Sequence, residues 1–501
     1  MLATDRWDSK LVAAVHPPDW VNPEPADKYD LVVIGAGTGG LVTAAGAAGL
    51  GARVALIERH LMGGDCLNVG CVPSKALISA ARAWAAARNA SKEFAGPAVS
   101  PDARGDFTAM MDRMRRIRAE LSPIDGASRF RDLGVDVFLG DGSFVDTSTI
   151  AVGVHRLRFR RAVIATGARA ATPGIPGLDS VTHYTNESIF DLTVLPARLV
   201  VLGAGPIGCE MAQCFARFGA QVTLIERGPR VLPRDDVDGA AIVHQALEAD
   251  GVTIVSSTVV AGVSQQGSEI SVRVTRDGRE TVHACDALVV AIGRAPNVEG
   301  LQLERGAVAY TDKGVTVDDR LRTSNDDVYA VGDICSALQF THAADFQARL
   351  VIQNALFFGR GKASNLVTPW ATYTSPELAQ VGHTAESAAQ AGVRIQTFTV
   401  PLHDVDRARL EGDTRGFCRV HVRDGSDTIV GATIVAPNAG DMISEVTLAM
   451  TNDLGLGAIG RTMHPYPTQG EALRKVADAW RRTKLTPSVK KLFARYFPIF
   501  R

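Results

Sequence analysis

The first part of the chain alternates between short, uninterrupted apolar runs and longer segments of mixed polarity. Leu31–Ile34 and Val54–Ile57 are apolar runs of the length expected for buried strands. The segment between them opens with Gly35-Ala36-Gly37-Thr38-Gly39-Gly40 and continues as an alanine-rich stretch, which predicts a glycine turn followed by a helix. The pattern therefore predicts a strand–turn–helix–strand unit of an α/β fold, whose second strand ends in Glu58.

The same pattern recurs 168 residues later in the chain. Leu199–Leu202 leads into a second glycine turn, and Val222–Ile225 again ends in an acid. In such units the glycines form the turn, admit a pyrophosphate to the backbone and let helix and strand pack closely, while the acid meets a ribose hydroxyl. One such motif alone is weak evidence, whereas two with matching strands and acids predict two dinucleotide sites. The paired positions are Gly35, Gly37, Gly40 and Glu58 in the first site and Gly203, Gly205, Gly208 and Glu226 in the second.

The run Gly63-Gly64-Asp65-Cys66-Leu67-Asn68-Val69-Gly70-Cys71-Val72-Pro73-Ser74-Lys75 carries the strongest chemical signal of the chain. Cys66 and Cys71 are spaced so that one helical turn could bring their sulfurs together. The two glycines at the start of the run permit a close backbone approach to a ligand. Lys75 lies four residues after Cys71, on the same helical face, where its charge would favour a thiolate. With these flanking residues, the two cysteines are interpreted as a redox disulfide.

The cysteine run resembles the active-site signature of the flavin-dependent pyridine nucleotide-disulfide oxidoreductases, which include dihydrolipoamide dehydrogenase, glutathione reductase and mercuric reductase. The resemblance extends from about residue 29 to about residue 480. It implies FAD in the first dinucleotide site and a nicotinamide cofactor in the second. It also implies that Cys71 is the inner thiol facing the flavin and Cys66 the outer thiol meeting the substrate. Hydride from the nicotinamide would reduce the flavin, and electrons would then open the Cys66–Cys71 disulfide.

The acid of the second site bears on the choice of nicotinamide. Because a carboxylate repels a 2′-phosphate, Glu226 favours NAD(H). Arg227 and Arg230 follow closely enough to leave NADP(H) open as the alternative. Pro206 stands where some relatives carry a bulky residue that gates nicotinamide entry, so a gate of that kind is not expected.

The resemblance adds further residues to the predicted site. It implies that Glu210 pairs with Lys75 and that this pair tunes the flavin. Val328–Asp333 resembles the strand whose terminal acid binds the ribityl chain of FAD, although that acid could instead cap a helix. His342 lies in a segment that resembles one near the flavin ring, and a structural role for it is at least as expected as a chemical one. The other predicted FAD-site residues are Gly64, Lys75, Thr166, Gly167 and Asp333.

The segment His464-Pro465-Tyr466-Pro467-Thr468-Gln469-Gly470-Glu471 lies where disulfide reductases carry a His-Pro-Thr…Glu motif. In those enzymes the His is the acid–base partner of the outer thiol. Here Tyr466 takes its place, and a phenol with an ordinary pKa of about 10 is a poor base near neutral pH. His464, two residues earlier, is a weaker substitute, and Glu471 keeps its place without its usual partner. By the resemblance, Tyr466 and Glu471 would line the substrate side of the site in the second subunit.

Mercuric reductases carry a tyrosine in a comparable segment, so reduction of a metal ion or small electrophile is the first functional hypothesis. Soft thiolates bind soft metals, and a two-electron cofactor can reduce a bound metal. The chain departs from the mercuric reductase pattern in two respects. No cysteine follows Cys418, and no N-terminal metal-binding domain with a Cys-x-x-Cys pair is expected. Dihydrolipoamide dehydrogenase or another disulfide reductase is the alternative, weakened by Tyr466. A flavin-bearing redox sensor with little turnover is the minor alternative.

The chain of 501 residues suggests about three domains. The predicted fold class is α/β, with two Rossmann-like dinucleotide-binding domains and a C-terminal α+β dimerisation domain, and the resemblance implies a homodimer. A helical insertion is expected at Phe107–Leu121, with later strands at Gly416–Val422 and Ile429–Val435. The predicted divisions are an extended N-terminal arm (1–28), a two-part FAD domain (29–185 and 310–365), an NAD(P) domain (186–309), the dimerisation domain (366–480) and a basic tail (481–501).

Composition narrows the function classes further. Hydrophobic residues make up 46% and charged residues 21% of the chain, and the net charge of −1 gives no field that favours nucleic acid. The N-terminus lacks the apolar core of a signal peptide, so we expect a cytoplasmic protein. The basic tail fits either packing on the dimer, which is favoured, or a membrane-surface helix. No resident metal site is predicted, and the other cysteines are expected to be small buried residues: Cys209, Cys214, Cys285, Cys335 and Cys418.

Overall fold

The structure is a computed structural model that describes residues 5–100, 103 and 105–500. Within these ranges the helices are α1 (Arg6–Val15), α2 (Thr38–Gly49), α3 (Gly64–Asn68), α4 (Cys71–Glu93), α5 (Phe107–Leu121), α6 (Ala127–Asp132), α7 (Pro206–Phe218), α8 (Val237–Ala249), α9 (Thr341–Leu356), α10 (Ala385–Gln390), α11 (Asp406–Leu410), α12 (Ala439–Thr451), α13 (Leu456–Ile459), α14 (Glu471–Thr483) and α15 (Pro487–Tyr496). The strands are β1 (Tyr29–Ile34), β2 (Val54–Glu58), β3 (Val135–Leu139), β4 (Gly142–Asp146), β5 (Thr149–Val152), β6 (His155–Ile164), β7 (Ala168–Ala170), β8 (Arg198–Leu202), β9 (Gln221–Ile225), β10 (Thr253–Val255), β11 (Val259–Gln266), β12 (Glu269–Arg276), β13 (Arg279–Cys285), β14 (Ala287–Val290), β15 (Arg294–Pro296), β16 (Tyr310–Thr311), β17 (Gly314–Val315), β18 (Val328–Ala330), β19 (Pro369–Thr372), β20 (Glu377–Gly382), β21 (Ile395–Pro401), β22 (Phe417–Arg423) and β23 (Ile429–Ala436).

The first dinucleotide unit is built on a seven-stranded sheet in the order β3–β2–β1–β6–β5–β4, with β18 also paired to β6. Strands β1, β2, β3 and β18 run parallel to β6, while β5 and β4 complete the sheet in antiparallel fashion. One face of the sheet packs against α1, α2, α6 and α9, and the other packs against β4, β5 and the segment 301–315. The parallel strands are therefore buried on both faces, which explains their uninterrupted apolar runs.

The second dinucleotide unit is a four-stranded parallel sheet in the order β10–β9–β8–β14. It repeats the first unit in register as well as in sequence. Leu31 lies opposite Val54 in the first sheet, and Leu199 lies opposite Val222 in the second. The short strands β7 and β15 pair where the chain passes between the two units.

The C-terminal unit is a five-stranded antiparallel sheet in the order β19–β20–β23–β22–β21, packed with α12, α13 and α14 around its own apolar core. The expected strands at Gly416–Val422 and Ile429–Val435 are β22 and β23, and the expected helical insertion is α5. The predicted α/β class with two parallel-sheet units and a C-terminal α+β unit is confirmed. The domain boundaries given above stay predictions.

The N-terminal arm is not extended throughout, which corrects the prediction. Arg6–Val15 forms α1, and the Asp5 side chain caps it by accepting two backbone N–H groups. Leu11 and Val15 lie four residues apart on the buried face. The prolines that suggested an extended arm all follow the helix, in residues 17–28, where no regular element forms. The first four residues of the predicted arm lie outside the described part of the chain.

Helix α1 is held to the body of the protein by a buried ion pair. Asp8 Oδ1 lies 2.5 Å from Arg118 Nη2, and the two side chains are 4% and 1% exposed. Arg118 Nη1 also donates to the backbone carbonyl of Asn68 at 2.8 Å. The Met62 N–H donates to the carbonyl of Val15 at the end of α1. The arm therefore packs directly behind the segment that carries the two cysteines.

Candidate active site

The two cysteines lie on different helices, which corrects the single-turn interpretation of their spacing. Cys66 is in α3, and Cys71 is the first residue of α4. Gly70 separates the helices, and a Cβ there would lie 2.8 Å from the carbonyl oxygen of Asp65. Both cysteines are half-buried free thiols, and their sulfurs share a hydrogen bond. The bend at Gly70, rather than a helical turn, brings them together.

The surroundings of Cys71 favour its thiolate. The hydrogen bond from Cys66 lowers the pKa of Cys71 to about 6 against the opposing effect of burial, and Thr341 and Lys75 add to the lowering. Cys71 Sγ lies 3.3 Å from Thr341 Oγ1, and its position at the start of α4 exposes it to the positive end of the helix. The same hydrogen bond, together with burial, raises the pKa of Cys66. These contacts favour Cys71 over Cys66 as the thiolate of the pair.

This difference predicts a measurable pH dependence. In the reduced holoenzyme, the long-wavelength absorbance that a thiolate gives beside a flavin should be present at neutral pH and fall on acidification with a midpoint near pH 6. The sign follows because a lowered pKa keeps the charged form down to lower pH. Anaerobic absorbance titration measures the midpoint. A midpoint near 8.5, the ordinary value of a cysteine, would contradict the assigned environment.

Lys75 and Glu210 form an ion pair beside the thiols, as the resemblance implied. Lys75 Nζ lies 3.0 Å from Glu210 Oε2 and 4.5 Å from the ring centroid of Tyr373. The backbone N–H of Tyr373 donates to the other oxygen of Glu210 at 2.9 Å. Burial opposes the charge on Lys75, but Glu210 outweighs it, so the pKa of Lys75 is raised. The sequence predicted the Lys75–Glu210 pair and placed the segment of Thr341 near the flavin ring, but it gave no role to Thr341 itself and did not indicate Tyr373, which belongs to no motif.

The two glycine turns have the same geometry and leave bare backbone for a ligand. Gly35 and Gly203 have φ of +100° and +96°, a region that disfavours side chains. A Cβ at Gly40 or Gly208 would lie 1.8 Å from the carbonyl oxygen of the first glycine of its turn. Gly64 has φ of +58°, and a Cβ on it would lie 2.6 Å from the Cα of the second glycine of the first turn. The cysteine run therefore packs backbone to backbone against the first turn.

The two acids repeat this correspondence at the level of single hydrogen bonds. Glu58 accepts from the N–H of Ala36 at 2.7 Å and from that of His60 at 2.8 Å. Glu226 accepts from the matching positions, Ala204 at 2.7 Å and Gly228 at 2.6 Å. Burial raises the pKa of Glu58. Each carboxylate braces its glycine turn and keeps lone pairs for a ribose hydroxyl.

The basic residues near Glu226 differ in their availability. The guanidinium of Arg230 donates to the backbone carbonyls of Leu232, Pro233 and Asp235, and it also lies 3.6 Å from a carboxylate oxygen of Glu386. These contacts occupy it within its own loop. Arg227 is exposed. Of the two arginines that left NADP(H) open as the cofactor, Arg230 is therefore occupied by contacts within the protein and is not free to bind a 2′-phosphate.

Asp333 is held by an arginine that the sequence did not single out. Arg294 lies between Asp333, at 3.3 Å, and Asp65 of the cysteine run, which also forms an ion pair with it. Burial raises the pKa of Asp333 against the influence of this arginine. Thr166 and Gly167 form a turn fastened to Asn297, whose side chain donates to the Thr166 carbonyl at 2.8 Å. The structure thus brings predicted FAD-binding residues from distant segments together at the carboxyl ends of the parallel strands of the first sheet.

These residues fit a bound FAD. A bare glycine turn at the N-terminus of α2 has N–H groups without a capping side chain, which suits a pyrophosphate. Glu58 follows at the end of the second strand, where a ribose is expected. A matching turn opens α7 for the second nucleotide.

The C-terminal motif is arranged differently from the expected acid–base pair. The hydroxyl of Tyr466 donates to Asp406 at 2.9 Å, and this hydrogen bond raises the pKa of Tyr466. Glu471 is buried and pairs with Arg474 at 2.7 Å rather than with either candidate base. Tyr466 is 70% exposed on the protomer surface, so the chain presents a phenol where disulfide reductases present an imidazole.

His464 does not replace the missing base. Its Nε2 lies 3.1 Å from both carboxylate oxygens of Glu445, and its Nδ1 lies 3.0 Å from the carbonyl oxygen of Thr462. The side chain of His464 is only 8% exposed. Both ring nitrogens are thus engaged within the same protomer, and neither points toward a substrate thiol. The weaker of the two candidate bases is therefore disfavoured.

The contacts of the remaining candidates suit structural roles. His342 Nε2 lies 2.6 Å from the Pro369 carbonyl, and its ring stacks on Phe340. Cys209, Cys214, Cys285 and Cys418 are buried as expected, while Cys335 is half-buried. Among the described residues, no group of three or more His, Cys, Asp and Glu side chains is placed to hold a metal ion. No helix in the described ranges is long and apolar enough to cross a membrane.

Comparison with known proteins identifies the family of this chain. Residues 29–348 match the family profile described as pyridine nucleotide-disulphide oxidoreductase, and residues 368–477 match its dimerisation domain. The chain is 34% identical over 455 residues to the mercuric reductase of Bacillus cereus, covering 91% of this chain and 72% of the relative. It is 30% identical over 475 residues to the dihydrolipoyl dehydrogenase of Bacillus subtilis, covering 91% and 98% of the two chains.

A solved structure supports the same assignment. The Cu(II) complex of the HOCl-induced flavoprotein disulfide reductase RclA from Escherichia coli superposes on this chain with a TM-score of 0.79 and 29% identity. The match covers 89% of this chain and 98% of that one. Together with the paired glycine turns and the cysteine run, these matches show that the chain belongs to the pyridine nucleotide-disulphide oxidoreductase family.

Proposed function

We propose that this chain is an NADH-dependent FAD oxidoreductase whose Cys66–Cys71 pair reduces a soft metal ion or small electrophile, in the manner of mercuric reductase. The proposal rests on the lack of an available acid–base residue where disulfide reductases carry a histidine. Tyr466 is held by Asp406, and both ring nitrogens of His464 are engaged. Reduction of a disulfide substrate needs a group that moves protons to and from the sulfurs. Reduction of a metal ion that binds the two thiolates directly does not need such a group.

The family is FAD-dependent and takes its electrons from NAD(P)H. FAD, when bound, supplies two-electron transfer between the nicotinamide and the cysteine pair. We infer that the glycine turn at Gly35 holds its pyrophosphate, Glu58 its ribose and Asp333 its ribityl chain. The turn at Gly203 and the carboxylate of Glu226 would hold the nicotinamide cofactor in the same way.

The side chains of the site provide the thiolate, compensate its charge and exchange protons with solvent. Cys71 provides a thiolate at neutral pH, and Lys75 compensates its charge. A soft divalent cation that binds both sulfurs displaces the proton of Cys66 to solvent. One hydride from NADH supplies the two electrons that reduce the cation to the neutral atom, which leaves, and the proton that the Cys66 sulfur takes up again. Tyr466 of the second subunit would add a phenol at the substrate side.

The first test is NADH oxidation by the purified holoenzyme with Hg(II) in excess small thiol. Sustained turnover that depends on Hg(II), with one neutral mercury atom released per NADH oxidised, is the expected result. A variant with Cys66→Ser serves as the control and should show no such turnover. Inhibition of the native protein, with mercury retained between the two sulfurs, would overturn the proposal.

Two other functions stay as alternatives. A dihydrolipoyl dehydrogenase activity is favoured by the Bacillus subtilis relative and disfavoured by the lack of an available imidazole. Turnover of dihydrolipoamide faster than Hg(II) turnover would select it. A redox sensor with little turnover would show one reduction per cysteine pair and then stop with every acceptor. The dimerisation domain supports a homodimer, and we propose the cytoplasm as its compartment.

Glu226 should determine the choice of nicotinamide. The native enzyme should prefer NADH, because the carboxylate repels the 2′-phosphate of NADPH and Arg230 is occupied. Glu226→Gln removes the charge with little change in shape and should narrow the ratio of kcat/KM for NADH over NADPH by about tenfold, which corresponds to about 1.4 kcal/mol. Steady-state kinetics with both cofactors measure it. A native preference for NADPH would contradict the assignment.

A further inference from the structure

The C-terminal tail contains an amphipathic helix, α15, followed by a 3-10 turn at Phe497–Phe500. Within the described residues the apolar stripe of this helix is largely exposed. Helix α15 begins after Thr486, which caps it, and contains no buried residue. Val489, Leu492, Phe493 and Tyr496 recur at the spacing of one helical face. Leu492 is 64% and Tyr496 51% exposed. The aromatic rings contact one another rather than the body of the protein.

The charged residues of α15 are all cationic and lie away from the apolar stripe, alongside Ser488 and Ala494. They are Lys490, Lys491 and Arg495, and none of them forms an ion pair with a described residue. No Asp or Glu follows Asp478 in the sequence, while Arg481, Arg482 and Lys484 add positive charge before the helix. The apolar stripe contains Val, Leu and aromatic residues, and the only charged residues on the same helix are Lys and Arg. Such a helix is complementary to a surface with anionic groups on the outside and an apolar layer beneath them.

The tail also lies outside the family's shared architecture. The match to the dimerisation domain ends at residue 477, before α15 begins. Dimerisation common to the family therefore does not require the tail to cover its apolar stripe. A homodimer would present two such helices, so that weak binding by each would be reinforced by the other.

We propose that α15 docks the enzyme on the surface of an anionic lipid bilayer, with its apolar stripe at the acyl boundary and its Lys and Arg side chains at the headgroups. The short helix lies in the plane of the surface and does not span it. The docking is independent of the electron acceptor, because no tail residue belongs to the active site described above.

Flotation of the holoenzyme with lipid vesicles tests the proposal. The protein should float with vesicles made of equal amounts of phosphatidylcholine and phosphatidylglycerol, not with phosphatidylcholine alone, and added salt should weaken binding. Lys490→Glu with Lys491→Glu should reduce the bound fraction by about tenfold or more. Leu492→Glu with Phe493→Glu should abolish binding. Both double variants should keep native flavin content and turnover.

Val154→Glu is the matched control, since Val154 is an apolar residue 90% exposed in the first dinucleotide unit, and it should bind vesicles like the native protein. Equal binding to neutral and anionic vesicles, or none to either, overturns the proposal. So does a change in oligomeric mass of the Leu492 and Phe493 double variant in sedimentation without lipid, because a second copy of the chain would then be the partner of the stripe.

Discussion

Replacing Cys71 with serine should abolish NADH-driven turnover and remove the long-wavelength absorbance of the reduced holoenzyme. The inner sulfur is the group whose thiolate the structure stabilises, through the Cys66 hydrogen bond, Thr341 and Lys75. A serine hydroxyl does not ionise near neutral pH and cannot form a disulfide. Turnover is therefore expected to fall to background, while the fold and flavin content are retained because the substitution is nearly isosteric.

Cys66→Ser separates the two sulfurs. It should also stop turnover, because the outer thiol is gone, but the long-wavelength absorbance should remain, since Cys71 keeps its thiolate and the serine hydroxyl can still donate to it. Because neither variant has a disulfide to reduce, anaerobic spectra of both variants with the flavin kept oxidised, and no NADH added, measure the difference. Loss of the absorbance in the Cys66 variant and its persistence in the Cys71 variant would reverse the assignment of inner and outer thiol.

Replacing Asp8 with alanine should lower the free energy of unfolding by about 3–5 kcal/mol. Arg118, at 1% exposure, would be left as a buried cation without its counterion. Burial raises the pKa of Asp8 despite the arginine, which indicates that the desolvation of the pair offsets much of its attraction. The expected loss thus comes chiefly from the stranded charge rather than from a strong bond.

Urea unfolding followed by far-UV circular dichroism measures the Asp8→Ala effect. Asp132→Ala is the control, because Asp132 pairs with Arg131 at the surface with 70% of its side chain exposed, and it should change stability by less than about 1 kcal/mol. Equal losses in the two variants would show that the Asp8–Arg118 pair is not isolated from solvent. Because Arg118 also binds the Asn68 carbonyl between the cysteines, the Asp8 variant should lose activity at lower urea concentration than it loses secondary structure.

Much of the first site could be predicted because its constraints are local. A Cβ at Gly40 would overlap the carbonyl of Gly35, five residues away, and Glu58 binds the N–H of Ala36 within the same strand–turn–helix–strand unit. Such contacts depend on short-range geometry, so they leave a readable pattern that recurs at a fixed offset. The helical arm was mispredicted for the opposite reason: the prolines after it outweighed the Asp5 cap and the spacing of Leu11 and Val15.

The sequence by itself determined the two dinucleotide turns, the redox cysteine run and the replacement of the expected imidazole by Tyr466, since each is written in contiguous residues. Only the tertiary structure decided which distant groups tune them. Thr341 reaches Cys71 across 270 residues, and Arg294 reaches Asp65 across 229. Such pairs form because strand order and helix packing bring separate segments to one edge of a sheet, and no spacing in the sequence records that proximity.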